Sequence, residues 1–297
     1  MNRIDQKFDV APDDFHRYNF AMTQFRELGQ NALESIKSGS ISVELKADGT
    51  PVTNIDREIE ERFTDAVSKE YGDEDVVLGE ESSNIHSTIP EDRRIWRLDP
   101  FDGTGWLTRL IEAGDTDYST LRALLLTAHF KPNETTPAFG VIHSPFYAGI
   151  TSTISTINGR TYYSADNQAA RQISVNSNAP RNTREVMQYE KNGIAGATQD
   201  VSEDAMKEIM PLANRIKLPL FMGNITLSNV DLSIYPGPTQ PHDVAAGALA
   251  VVNAGGTVKD FDGRDFKQID WRKYPINGVV AGSNESLVDQ VVARYTK

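Results

Sequence analysis

The chain has 297 residues, with 42 acidic against 30 basic side chains, a formal net charge of −12, 39% hydrophobic residues and no cysteine. That length suits one large unit or two lobes around a substantial core, and the missing cysteine excludes disulfides, thiolate metal sites and a cysteine nucleophile. The excess of acid argues against general nucleic-acid binding, no apolar run reaches the roughly 18 residues of a bilayer span, and residues 1–10 lack the pattern of a secretory signal, so a cytoplasmic protein is expected.

Apolar residues Phe15, Tyr18, Met22, Phe25, Leu28, Ala32, Leu33 and Ile36 recur at spacings of three and four, which predicts a helix over residues 14–38 ended by Gly39. Ile59, Phe63, Val67 and Tyr71 predict a second helix starting near Asn54, with Thr53 and Asp56 spaced as a capping pair. Strand-like runs follow at 75–79, 94–98, 121–130, 138–143 and 149–154. Turn chemistry at 131–137 and at Ser144-Pro145 predicts an antiparallel meander among the later ones.

The second half reads as a helix at 202–213, a small-residue helix at 243–254, strands at 257–261 and 278–281 separated by the Asp262-Gly263 turn, and a terminal helix at 284–295. Without repeats or a long linker, the economical organisation is two packed lobes. Residues 1–175 hold the antiparallel sheet and most candidate ligands, and residues 176–297 form an α/β lobe that carries Asp243.

Carboxylates gather where strands or turns end, in Thr53-Asn54-Ile55-Asp56, Gly79-Glu80-Glu81-Ser82, Asp99-Pro100-Phe101-Asp102-Gly103-Thr104 and Pro241-His242-Asp243. In the third segment a strand delivers Asp99 to its end, Pro100 fixes φ and Gly103 permits a tight turn. Asp99, the Phe101 carbonyl and Asp102 are then expected to face one point. Oxygen donors without sulfur or imidazole select a hard cation, with Mg2+ favoured over zinc. Each segment alone has a plainer reading: a surface turn, a solvated loop end for Glu80-Glu81, a helix cap for Asp56 and a helix-start residue for Asp243.

Together, Asp48-Gly49-Thr50-Pro51-Val52-Thr53-x-x-Asp56, Gly79-Glu80-Glu81-Ser82, Trp96-x-Leu98-Asp99-Pro100-Phe101-Asp102-Gly103-Thr104, Phe139-Gly140-Val141-Ile142-His143-Ser144-Pro145 and Asp243-Val244-Ala245-Ala246-Gly247 resemble the inositol monophosphatase superfamily in order and spacing. The resemblance runs from about Lys46 to the C-terminus. It implies an α/β layered α-β-α-β-α sandwich and a Mg2+-dependent, lithium-sensitive phosphomonoesterase, commonly a homodimer, acting on a small phosphorylated substrate with no membrane partner. By that resemblance Glu80, Asp99 and the Phe101 carbonyl would hold one metal, and Asp99, Asp102 and Asp243 a second. Glu81, with Asp56 beside it, would form the outer shell or a third, weaker site, giving two to three ions. Gly103, Thr104 and Asp243 would border the substrate phosphate. Thr104 and Asp56 resemble the dyad that orients and deprotonates the attacking water, with Glu80 the third catalytic group, and Lys46 would lie at the rim.

The chain departs from the family pattern at His242, where a tryptophan is usual, and either a hydrogen bond near the phosphate or a partly exposed packing substitute is open there. Gly105-Trp106-Leu107 replaces the customary Asn-Phe, and Trp106 reads as a buried aromatic or a cover for a sugar or base. Residues 223–235 are shorter than in the family, so the groups that recognise the rest of the substrate do not transfer; Asn224, Thr226 and Asp231 read equally as contacts or as cap and turn residues. The leading expectation is a phosphatase of a small polyol, sugar or amino alcohol phosphate, such as inositol phosphate or histidinol phosphate. A 3'(2'),5'-bisphosphate nucleotidase is the alternative enzyme, and a catalytically idle relative serving as a protein-binding partner is the alternative of another class.

Overall fold

The computed structural model describes residues 11–82, 89–115, 121, 123–147, 150–165, 168–175, 232–235 and 237–295. Helix α1 spans Pro12–Lys37 with Pro at its first turn, and α2 spans Asn54–Tyr71. Between them a short hairpin, β1 (Val43–Leu45) with β2 (Pro51–Thr53), leads the chain straight into the α2 cap.

A seven-stranded sheet follows in sequence order: β3 (Asp75–Gly79), β4 (Arg94–Asp102), β5 (Leu124–Phe130), β6 (Phe139–Tyr147), β7 (Ile150–Ile157), β8 (Arg160–Ala165) and β9 (Arg171–Ile173). β3 and β4 are parallel, and every later pair is antiparallel, the expected meander. Ser144-Pro145 does not end a strand as its turn chemistry predicts. It lies inside β6 where the register against β7 shifts, because proline is tolerated in a sheet at an irregularity that needs no ladder donor. Helix α3 (Thr104–Glu112) branches from the end of β4.

Beyond residue 231, β10 (Leu232–Tyr235), β12 (Val279–Gly282) and β11 (Thr257–Lys259) form a three-stranded antiparallel sheet in the order β10-β12-β11. Helices α4 (Pro241–Asn253) and α5 (Glu285–Tyr295) complete the described elements. The helix predicted at 202–213 lies outside the described residues.

Alternation along the strands separates the layers. On one side of the large sheet Trp96, Leu98, Leu125, Phe139 and Val141 pack against Phe25, Ile59 and Phe63 of α1 and α2. On the other side Ile95, Leu124, Leu126 and Ile142 pack against Val244, Ala248 and Val251 of α4, whose opposite side meets Val258, Val279 and Ala281 of the small sheet. Leu232, Ile234 and Val280 on the far face of that sheet are covered by Leu287, Val288 and Val291 of α5. The order is therefore helix, sheet, helix, sheet, helix, as expected. Among the described residues no helix is long and apolar enough to cross a membrane.

Candidate active site

The capping pair read from the sequence is present and does more than start a helix. Thr53 Oγ1 accepts the Ile55 and Asp56 N–H groups, and the Asp56 carboxylate takes the Thr53 N–H at 2.9 Å together with the Thr53 hydroxyl. These bonds hold Asp56 at 1% exposure with Oδ1 turned the other way, where Thr104 Oγ1 donates to it at 2.6 Å. Thr104 Oγ1 also stands 2.9 Å from the Phe101 carbonyl. Burial raises the Asp56 carboxyl above its ordinary range, and the threonine hydrogen bonds oppose the shift without cancelling it.

Asp99 and Asp102 sit on an irregular end of β4. Asp99 pairs with Leu126 and Asp102 with Leu124, so three steps along β4 match two along β5. In a regular strand residues three apart face opposite sides. The extra residue restores the phase and puts both aspartates on the side of Leu124 and Leu126. Asp99 is 2% exposed and accepts the Phe101 N–H at 3.0 Å. Burial, then the charges of Glu80, Asp102, Asp243 and Asp56, push its carboxyl well above the usual range. Gly103 then turns the chain with φ of +129°, open to glycine, and caps α3 without a side-chain bond to the helix start.

Glu80 and Glu81 leave the end of β3, tied to β4 by the bond from Glu80 N–H to the Leu98 carbonyl at 3.0 Å. Lys46, beyond β1, reaches Glu80 Oε1 at 2.9 Å and Glu81 Oε1 at 2.6 Å. Burial alone would lower its ammonium, but the two carboxylates hold it above the ordinary lysine value. Burial and the charge of Glu80 push the Glu81 carboxyl up to about 7 against the hydrogen bond from Lys46. Asp243 enters from the first turn of α4 with a third of its side chain exposed, raised by burial and by Glu80 and Asp102.

The structure thus brings Asp56, Glu80, Asp99, Asp102, Thr104 and Asp243 into one electrostatic neighbourhood, with Lys46 at Glu80 and Glu81. Among the described residues no three carboxylates or imidazoles close on a common point. Trp106 is a partly buried aromatic packed on the α1–α2 core, with the Arg109 guanidinium 5.5 Å over its ring. Asn224, Thr226 and Asp231 lie outside the described residues.

One participant carries no mark in the sequence motifs. Glu60 lies one turn after Asp56 on α2, nearly buried, and accepts the Glu81 N–H at 2.8 Å, so it fixes the loop that carries Glu80. The i,i+4 spacing from Asp56 was the available signal. A Cβ on Gly79 would overlap the Glu60 carboxylate, so any larger residue there has to displace it. His242, the departure from the family pattern, is 3% exposed, a correction to the partly exposed substitute, because α4 is buried between two sheets at its start. Its Nε2 lies 3.2 Å from Asp243 Oδ1.

Residues 14–296 match the model of the inositol monophosphatase family. The chain belongs to the inositol monophosphatase family. As a member it is a phosphoric monoester hydrolase. It is 28% identical over 263 residues to a histidinol-phosphatase of Streptomyces coelicolor, covering 88% of this chain and 89% of that protein. It is 24% identical over 286 residues to a fructose-1,6-bisphosphatase/inositol-1-monophosphatase of Thermotoga maritima, covering 93% and 97% of the two chains. The fold matches that of staphylococcal inositol monophosphatase-1 in a LiCl-soaked inhibitory complex, with a TM-score of 0.68, 16% identity, and 97% and 96% of the chains covered.

Proposed function

We propose that the protein hydrolyses a small phosphorylated polyol, sugar or amino alcohol with the help of Mg2+, inositol phosphate and histidinol phosphate being the leading substrates. The observation that carries this reading is the hydrogen bond from Thr104 to Asp56 beside a set of acidic groups that repel one another around Asp99. The donors are all oxygen, and their surplus negative charge fits a hard divalent cation. Glu80, Asp99 and the Phe101 carbonyl would hold one ion, Asp99, Asp102 and Asp243 a second, and Glu81 a third. Bound there, Mg2+ would supply Lewis acidity and neutralise the phosphoryl charge.

The chain's own groups do the rest. The N–H groups that open α3 at Gly103 and Thr104 suit a phosphate, since a helix start favours an anion. Thr104 Oγ1, donating to Asp56 Oδ1, keeps a lone pair for a proton from the attacking water. Its own proton moves to Asp56, whose raised carboxyl suits it to accept, and the Thr104 hydroxyl can then donate to the Phe101 carbonyl. No histidine base is needed. The water oxygen ends on phosphorus, the bond from phosphorus to the ester oxygen breaks, and the released oxygen takes a proton from solvent water to leave as the alcohol, while Asp56 returns its proton to solvent.

The histidinol phosphate reading draws support from the Streptomyces relative. Phosphate release from inositol phosphate, histidinol phosphate, sugar phosphates and 3',5'-bisphosphonucleotides tests it. Turnover concentrated on the first three classes supports the reading, and preferential turnover of the bisphosphonucleotide replaces it with the nucleotidase.

A further inference from the structure

His242 stands where the family pattern has tryptophan, and its contact with Asp243 gives the exchange a physical meaning. It is the second residue of α4, buried, with Nε2 3.2 Å from Asp243 Oδ1. Asp243 follows in the first turn, where the helix dipole favours a carboxylate. Glu80 and Asp102 act on it with like charge, which pushes the carboxylate away from them, and a third of its side chain is exposed. Gln240, the residue before the helix, makes no side-chain bond to its start.

We propose that His242, in the tautomer with its proton on Nε2, donates to Asp243 Oδ1 and fixes the carboxylate so that Oδ2 faces the cation. His242 is then a positioning residue that acts through Asp243. This rests on the reading of Asp243 as a metal ligand. Partners that orient a ligating group typically set metal affinity by about 10- to 100-fold, and a phenylalanine of similar shape would fill the space without donating.

The test is Mg2+ titration calorimetry on the full chain at one pH, for wild type, His242→Phe, His242→Gln and Asp243→Asn, with thermal melts of each metal-free form. The glutamine amide nitrogen occupies the place of Nε2. We expect His242→Phe to bind Mg2+ about 10-fold more weakly, and His242→Gln to recover most of that loss. In phosphate release, the Mg2+ concentration for half-maximal rate should rise for His242→Phe, while the substrate KM at saturating Mg2+ stays put. If His242→Phe melts far below wild type, His242→Asn takes its place, since an asparagine amide stops short of Asp243. Unchanged Mg2+ affinity in the non-donating variant, or equal weakening in the donating and non-donating ones, overturns the positioning role while Asp243→Asn still shows the loss. Wild-type affinity in Asp243→Asn overturns the ligand assignment itself.

Discussion

The Thr104 hydroxyl stands 2.6 Å from Asp56 Oδ1, joining the first turn of α3 to the first turn of α2 across 48 positions of sequence. If this pair carries the proton from water, Asp56→Asn and Thr104→Val should each lower kcat by about 10²- to 10⁴-fold with a small change in KM. Thr104→Ser keeps the hydroxyl and should retain most activity. Steady-state kinetics decide it, and a Thr104→Val enzyme with normal kcat would remove the pair from the mechanism.

Asp99 should be a residue whose charge costs stability in the absence of metal. Like charges about 4 Å apart repel by about 4 kcal/mol at an effective dielectric of 20, and Asp99 is acted on by four carboxylates while buried. Asp99→Asn should therefore melt higher than wild type without metal, while Mg2+ raises the wild-type Tm and leaves the variant nearly unmoved. Saturation at 100 times the Kd corresponds to about 2.7 kcal/mol. Calorimetric melts with Mg2+ and with chelator show whether the two responses diverge.

Glu60 and Gly79 should act as a unit. Glu60→Leu leaves the Glu81 N–H without its acceptor and should cost about 1–3 kcal/mol. Gly79→Ala pushes the Glu60 carboxylate off the same N–H and should cost a similar amount. Urea unfolding of the double variant should then show less than the sum of the single losses, and strict additivity would separate the two positions.

Acid sensitivity should follow from His143. It is 1% exposed, with Nδ1 2.9 Å from Thr153 Oγ1, and burial, with Arg26 nearby, pushes its pKa down to about 4. The unfolded imidazole titrates near about 6.5. A depressed pKa contributes stability that is full above the unfolded value and is lost as pH falls toward 4, on the order of 3 kcal/mol. Between pH 7 and 4.5 the unfolding free energy of wild type should decline more steeply than that of His143→Gln. Parallel slopes would assign the acid response to other groups.

The amphipathic helices were legible because their signals are local: apolar spacing for α1, and the Thr53–Asp56 pair for the start of α2. The layer order came from the family resemblance and follows, residue by residue, from the alternation of Leu124, Leu125 and Leu126. What escaped the sequence depends on a partner. The three-residue strands β1, β2 and β9 have too little pattern of their own, and α3 hides because Gly103-Thr104-Gly105 reads as loop. Asp99 and Asp102 share a side only because β5 pairs two residues against three, a fact of register that neither strand carries alone. Glu60 and His242 likewise acquire their roles from Glu81 and Asp243, contacts that composition cannot show.

The central claim is that the acidic cluster works with a divalent cation to release phosphate, and the direct measurement is phosphate release against Mg2+ concentration for wild type and Asp99→Asn. Wild type should show saturable Mg2+ dependence and complete loss with chelator, and the variant a rate at least about 10²-fold lower at any Mg2+ concentration. Phosphate release that persists in chelator, or an Asp99→Asn enzyme as active as wild type, would contradict that claim.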